Sequence, residues 1–574
     1  MQSQDEQTKE KEDTNTKEGT SKSTEGMGVT VSLIGRTSSP EFEPNKTNKF
    51  CFWLKSGTVV NPTDFVVAEH TIGNKKTKTV GMVTEISAFT DARSHLTNFI
   101  SSELGDPDAE PYVNRISSLV AEATVLRNDY EIYMPVPSNM KVEFPDIEMI
   151  EKAIGIDLIE KQEDKIPAGV IVQSNDMIIP VHLDARFFLG PEGAHINASG
   201  ISGLATKTSY LMFLLNSIYQ KAGGKVAVIV FNVKYSDLLH IHEKADWADQ
   251  STEKANLYKN FYKSLKLNIE PFPKEKVKYF LPRGSGGVPN SENPPENYGL
   301  YAYELRDVYG RFDLLFSDVR DEWHTLDAFN CRVRESWDTD GNRLVVGREA
   351  ITNWTQLKNV DPAILATEYH LHPTTPPRIL RELRRLTTSN IFTDSRSTGS
   401  VYLGEEIKKI EAEDIFVIDI FRIPSRTQPF IVGDVMRSIE EIYTEKDVDF
   451  KIIILIDELN TFAPYSGGDA ITQQIAEIAI KGRSRGTILF GAEQFKSGIN
   501  DLIIGNSSTN VLGKTGMAEL RRPQYGFLAD DNMRKIATNL GKGEMILSFP
   551  TWKMPIKIKF PEPTCKKMEK GSKK

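Results

Sequence analysis

Cysteine is almost missing from this chain of 574 residues, which carries only Cys51, Cys331 and Cys565. Three scattered thiols build neither a disulfide framework nor a thiolate metal centre, and they fit a protein of the reducing cytoplasm. Long hydrophobic runs are missing too. The longest, such as Val226 to Phe231 and Ile452 to Ile456, fall far short of the ~18 residues a membrane helix needs. The opening MQSQDEQTKEKEDTNTKEG has no apolar stretch of the kind a secretory signal requires. There is no excess of positive charge either: Lys plus Arg number 70 against 79 Asp plus Glu, a net charge of −9. No general basic coat advertises nucleic acid or an anionic membrane, so any nucleic-acid contact must be local. Residues 1–27 hold no aromatic or branched aliphatic side chain. With almost nothing to bury, they are expected to form a disordered tail.

The rest has the balance of an ordinary folded protein, with 39% hydrophobic and 26% charged residues. Over about 28–150 the chain alternates short apolar pieces with turn residues: VTVSLIG, KFCFWLKSG, DFVVAEH, KTVGMVTEISAF, EATVLR and EIYMPV. Pieces rich in Val, Ile, Phe and Thr with Gly, Asn and Pro between them predict a small β-barrel or sandwich. After the acidic EKQEDK the pattern becomes α/β and stays so over 165–574. HINASG, the helical TSYLMFLLNSIYQKAGG and the apolar KVAVIVFNV make one βαβ unit. DIFVIDI, FKIIILIDE and GTILFGAEQ resume the parallel sheet much later. The interval of about 236–400 reads as a helical insertion in a doubly wound sheet.

The turn after HINA reads SGISGLATKTSYLMFLL, where backbone N–H groups and a helix N-terminus can cradle phosphates. It departs from the usual G-x-x-x-x-G-K-[ST]. Counting from Gly200, Ala205 stands where the second Gly is expected and Thr206 stands where the Lys is expected, with Lys207 one residue late. Either the loop carries one extra residue, so that Lys207 and Thr208 do the usual work, or the motif is degenerate. The first is favoured, because Lys207, Thr208 and Ser209 then open the helix. Gly200 and Gly203, with Ser202 between them, would let the backbone approach phosphate closely. In KIIILIDELN, Asp457 and Glu458 end a strand too apolar to be exposed, a pair suited to Mg²⁺ positioning and to water polarisation respectively. GTILFGAEQ ends on Gln494, placed to sense phosphate or water, and KGRSRG puts Arg483 and Arg485 at a helix end. There they could oppose the helix dipole or reach a neighbouring chain's nucleotide. His240 with His242 and His370 with His372 lack a third ligand at motif spacing and read as satisfied or exposed histidines. Arg422 and Arg426, after DIFVID, are candidates for a basic channel lining.

These motifs together resemble the HerA-type ATPases of the HerA and FtsK superfamily. The resemblance rests on the β-rich N-terminal part, GPEGAHINASGISGLATKTS, KIIILIDELN, KGRSRGTILFGAEQ and the C-terminal GKGEMILSFPTWKMPIKIKFPEP. It implies a RecA-like P-loop ATPase core after a HerA-like barrel, ATP and Mg²⁺ as cofactors, and a homohexamer that moves DNA through a central channel. It also implies an effector partner such as a NurA-like nuclease, with the bacterial anti-phage defence branch as one setting. By position, Lys207 and Thr208 would bind phosphate and Mg²⁺, Asp457 and Glu458 would be the acidic pair, Gln494 the sensor and Arg483 the finger acting in trans. The ATKT ending bears on hydrolytic rate more than on nucleotide binding. A nucleotide-gated scaffold with slow turnover that organises an effector is the alternative. An export or conjugation motor is disfavoured by the missing membrane segment.

Overall fold

A computed structural model describes residues 33–101, 104, 106, 108–109, 115–201, 206–222, 224–316, 319, 325–340, 342–396, 399–528 and 530–568. The expected tail, 1–27, lies outside the described residues. The first structured part is a closed six-stranded antiparallel barrel of β1 (Leu33–Ser38), β2 (Lys49–Leu54), β3 (Phe65–Ile72), β4 (Lys75–Thr90), β5 (Ser117–Asn128) and β6 (Lys141–Glu143). The strands close in the order β1-β2-β5-β4-β3-β6. Alternation puts Ile34, Phe50, Phe52, Val66, Ala68, Val83, Ala121, Ala123 and Val142 inside. EIYMPV, which reads as a strand, forms none. Asn128 Oδ1 accepts the backbone N–H groups of Tyr130 and Ile132 at 3.0 and 3.2 Å, so the side chain takes donors that a ladder would need. The barrel is tied to the next part through Gln173, whose Oε1 accepts the Phe65 N–H at 2.6 Å, and through Asp64, which accepts the Ser174 N–H at 3.1 Å.

The second part is built on a 13-stranded sheet. Its strands are β7 (Lys165–Val172), β8 (Ile178–Asp184), β9 (Ile196–Ser199), β10 (Val226–Asn232), β11 (Val277–Pro282) and β12 (Gly299–Tyr301). Further on come β16 (Ser400–Val401), β17 (Ile415–Asp419), β18 (Lys451–Asp457), β19 (Thr487–Glu493), β20 (Thr509–Leu512), β21 (Glu544–Ser548) and β22 (Ile556–Lys559). The small sheet β13 (Trp337–Asp338), β14 (Arg343–Val346), β15 (Glu349–Ile351) stands apart. The order is β16-β12-β11-β17-β10-β18-β19-β9-β20-β21-β22-β7-β8. From β16 through β20 every pairing is parallel, and from β20 to β8 every pairing is antiparallel.

The central strands are apolar at nearly every position because helices cover both faces. Val226, Val228 and Val230 of β10 and Ile453 and Leu455 of β18 face one core, which includes Tyr210 to Leu215 of the helix Thr206–Ala222. Ala227, Ile229 and Phe231 with Ile452, Ile454 and Ile456 face the other, shared with the helices Gln428–Glu445 and Ala470–Arg485. Burying one such side chain contributes roughly 1.5–3 kcal/mol. The order places β19 between β9 and β18, and β9, β19 and β18 end at one edge.

The 236–400 insertion departs from its helical reading, since β11 to β15 lie within it. It carries helices such as Glu253–Ser264, Thr325–Glu335 and Thr375–Leu386, but also β11, β12 and β16, which extend the sheet beyond β17. These strands are short and flanked by Pro273, Gly284 and Gly399, so their periodicity is too brief to stand out.

Candidate functional site

The C-terminal edge of the parallel strands collects the polar ends of otherwise apolar segments. Ser199 of β9 pairs with Glu493 of β19, and Asp457 of β18 with Ala492, so all three strands stop at one level. A ligand-binding crevice forms outside such an edge, where neighbouring connections diverge. Gly200 continues β9 at φ +151°, and a Cβ there would meet the Gly513 backbone at 3.1–3.3 Å. Only glycine fits both demands. The Gly200 N–H donates to the Glu493 carbonyl at 3.2 Å and the Ile201 N–H to the Lys514 carbonyl at 2.8 Å, which pins the start of the loop. Ser202, Gly203 and Ala205 lie outside the described residues. Thr206 is the first residue of the helix Thr206–Ala222.

Lys207 is 4% exposed. Its ammonium donates to the carbonyls of Gly200 at 2.8 Å and Glu493 at 2.9 Å, which leaves it one further donor. Burial lowers its pKa, while Asp457 opposes that shift. Thr208, one residue on, donates its hydroxyl to Asp457 Oδ2 at 2.7 Å. Ser209 is buried and receives a hydrogen bond at 3.1 Å from Lys567, which the C-terminal segment carries back across the helix.

Asp457 is 2% exposed, and its other oxygen accepts the Glu458 N–H at 2.9 Å. Glu458 adopts φ 56°, ψ 45°, a left-handed conformation uncommon for a residue with a side chain. Leu459, next in the chain, holds this tight turn, packing so closely on β19 that a Cβ at Gly491 would lie 2.4 Å from its Cδ2. The turn brings Glu458 Oε1 to 3.5 Å from Gln494 Nε2, at the outer limit of a hydrogen bond.

Two residues of this edge escaped the sequence reading. Lys234 stands two positions beyond β10 and places its ammonium 3.0 Å from Asp457 Oδ2 and 2.7 Å from Glu458 Oε1. Burial opposes its charge, but the Asp457 and Glu458 carboxylates outweigh burial and raise its pKa. A lysine just past an apolar strand that ends level with β18 is the signal that could have found it. Glu493 is fully buried. Burial drives its pKa up and that of the nearby Lys496 down. Lys496 in turn bonds Asn510 and lies 4.8 Å from the centre of the Phe527 ring.

Arg483 and Arg485 are not brought to the site of their own chain. They end the helix that leads into the first residue of β19, whereas Gln494 follows its last. Seven strand residues at ~3.3 Å each set them about 20 Å away. Arg483 donates to the Glu192 carbonyl at 3.3 Å, and Arg485 pairs with Glu440 at 3.3 Å. Arg422 pairs with Glu292. His240 is bonded to Glu243 at 2.7 Å and to the Asn293 carbonyl at 3.0 Å, and His242 to Tyr279 at 2.7 Å, so both have non-metal partners.

No protein-family model matches the chain, and no curated protein matches its sequence. Among solved structures it is similar to the bacterial conjugative coupling protein TrwBΔN70 in an unbound form, at 10% identity and a TM-score of 0.44, over 72% of this chain and 93% of that one. It is also similar to VirB4 of Thermoanaerobacter pseudethanolicus, at 14% identity and a TM-score of 0.40, over 70% and 97%. A shorter match is to the genome packaging NTPase B204 of Sulfolobus turreted icosahedral virus 2, at 12% identity and a TM-score of 0.23, over 29% and 74%. Among the described residues no helix is long and apolar enough to cross a membrane.

Proposed function

We propose that this chain binds and hydrolyses ATP with Mg²⁺ at the edge formed by β9, β18 and β19, and works as a homohexameric DNA translocase or helicase of HerA type. Its partner would be a nuclease, NurA-like, or another effector protein, in DNA end processing or anti-phage defence. The observation that carries the reading is the hydrogen bond from Thr208 to Asp457, which joins the opening turn of the loop helix to an acidic strand end 249 positions later. A hydroxyl and a carboxylate converging at 2.7 Å are hard oxygen donors of the kind magnesium takes. The donor set therefore fits the metal, with Thr208 and Asp457 as its protein ligands. When bound with the triphosphate, magnesium supplies charge neutralisation on the phosphate oxygens.

The chain's own groups do the rest. Lys207 exchanges its two carbonyl partners for phosphate oxygens, a charge-assisted bond in place of neutral ones. The N-terminus of the helix Thr206–Ala222 adds backbone donors and its dipole. Glu458 orients the attacking water and takes its proton, with Gln494 as a second polar contact on that water. Glu493 does not compete for this role, because it is fully buried. Arg483 lies about 20 Å along β19 from this edge of its own chain, so it is assigned to the site of the next subunit.

A phosphate-release assay with and without duplex DNA tests the motor reading, alongside native mass measurement. ATP turnover that rises severalfold with DNA, from a particle of six chains, is the expected outcome. Slow turnover indifferent to DNA would instead favour the nucleotide-gated scaffold.

A further inference from the structure

Lys234 carries a cation into the place where the proposed site needs one. Its ammonium contacts Asp457 Oδ2, the same oxygen that accepts the Thr208 hydroxyl, and it reaches Glu458 Oε1 as well. Asp457 is almost wholly shielded from solvent, whereas the Lys234 side chain is 36% exposed, so one partner is fixed and the other has room to leave. The turn that delivers Lys234 is itself fixed. Asn232 Nδ2 donates to the Tyr235 carbonyl at 2.7 Å and to Asp419 Oδ1 at 2.8 Å, and Tyr235 takes φ +38°. The Lys234 backbone is thus anchored, and its flexible four-carbon stem can carry the ammonium off the carboxylates without moving the turn.

Two adjacent carboxylates at a partly buried strand end repel each other unless a positive charge stands between them. In the structure that charge is Lys234. Lys207 is directed elsewhere, to the carbonyls of Gly200 and Glu493. We infer that Lys234 is a displaceable counter-ion: it occupies the cation position on Asp457 and holds Glu458 in a resting orientation until magnesium and nucleotide displace it. The inference deepens the proposed function and rests on that reading of the site. Lys234 acts here as a positioning residue, through Asp457 and Glu458. Two consequences follow for the site. Magnesium competes with an attached ammonium for Asp457, so more of it is required than the bare donor pair would need. Glu458 becomes free to meet water only when the ammonium has left, which ties hydrolytic competence to occupancy of the metal position.

The test titrates Mg²⁺ against binding of a fluorescent, non-hydrolysable ATP analogue to the full chain, for wild type, Lys234→Met, Lys234→Gln and Lys234→Arg. Removing the competing charge is expected to lower the half-saturating Mg²⁺ concentration about tenfold in Lys234→Met, with the analogue still bound. Lys234→Arg, which restores a cation, should return the requirement toward that of wild type. A merely structural lysine would change melting temperature and leave the Mg²⁺ requirement in place. Should Lys234→Met fold poorly, Lys234→Gln gives the same comparison with a polar stem. An unchanged or higher Mg²⁺ requirement in both neutral variants overturns the inference and makes Lys234 a phosphate contact or a structural tie. If wild type fails to bind the analogue at any Mg²⁺ concentration, the nucleotide reading itself falls, and the inference with it.

Discussion

Glu458→Gln is expected to bind ATP within a few-fold of wild type and to lose about 10²–10⁴-fold in turnover, the range for removing a general base. The amide keeps the size of the side chain, so the left-handed turn and the packing of Leu459 against Gly491 are undisturbed. What it loses is the capacity to take a proton. Single-turnover phosphate release and equilibrium binding, measured on one preparation, separate the two effects. Turnover within tenfold of wild type would remove Glu458 from the chemical step. Loss of binding would make it a structural acid needed to hold Lys234, 2.7 Å away.

Arg483→Ala should bind ATP nearly normally, lose about 10³-fold or more in turnover, and poison mixed rings. Its guanidinium lies at the far end of β19 from Gln494, so any action on the site must be on a neighbour's nucleotide. The decisive observation is complementation. Mixed with Glu458→Gln, whose Arg483 is intact, it should regain activity at interfaces where an intact arginine meets an intact Glu458. Co-purification of two differently tagged chains establishes that mixed rings have formed. If Arg483 only caps its helix and braces the Glu192 carbonyl, the substitution costs modest stability, turnover persists and mixing restores nothing. Arg485 provides the contrast, since Glu440 already occupies its side chain.

Much of the sheet was legible because its central strands are apolar through both faces, a pattern that few other structures require. Val226 to Phe231 and Ile452 to Ile456 announce buried parallel strands, and the polar residues that end them mark the edge where chemistry can sit. The barrel was legible in β2, β3 and β4 as short Val-, Phe- and Thr-rich pieces set between turn residues, but not in EIYMPV, where the Asn128 side chain diverts backbone donors. The outlying strands β11, β12 and the edge strand β16 were hidden, since two to six residues between prolines and glycines carry too little period to read.

At the site, Lys207, Thr208, Asp457, Glu458 and Gln494 could be named from local motifs, the first two opening a helix and the others ending strands. Lys234 could not. Its meaning depends on β10 lying beside β18 in register, so that a residue 223 positions before Asp457 ends beside it. Glu493 is not legible for a different reason. Its neighbour Gln494, just past the end of β19, reaches Glu458, whereas Glu493, the last residue of the strand, is fully buried, and the sequence EQ does not say which of the two turns inward.

The most direct test of the nucleotide site is equilibrium ATP binding, measured with Mg²⁺ present, for wild type and Lys207→Ala. The wild-type chain should bind saturably, and Lys207→Ala should lose at least ~100-fold in affinity because the charge-assisted phosphate contact is gone. Equal affinity in the two proteins would contradict the account, placing the phosphates away from Lys207 and the N-terminus of its helix.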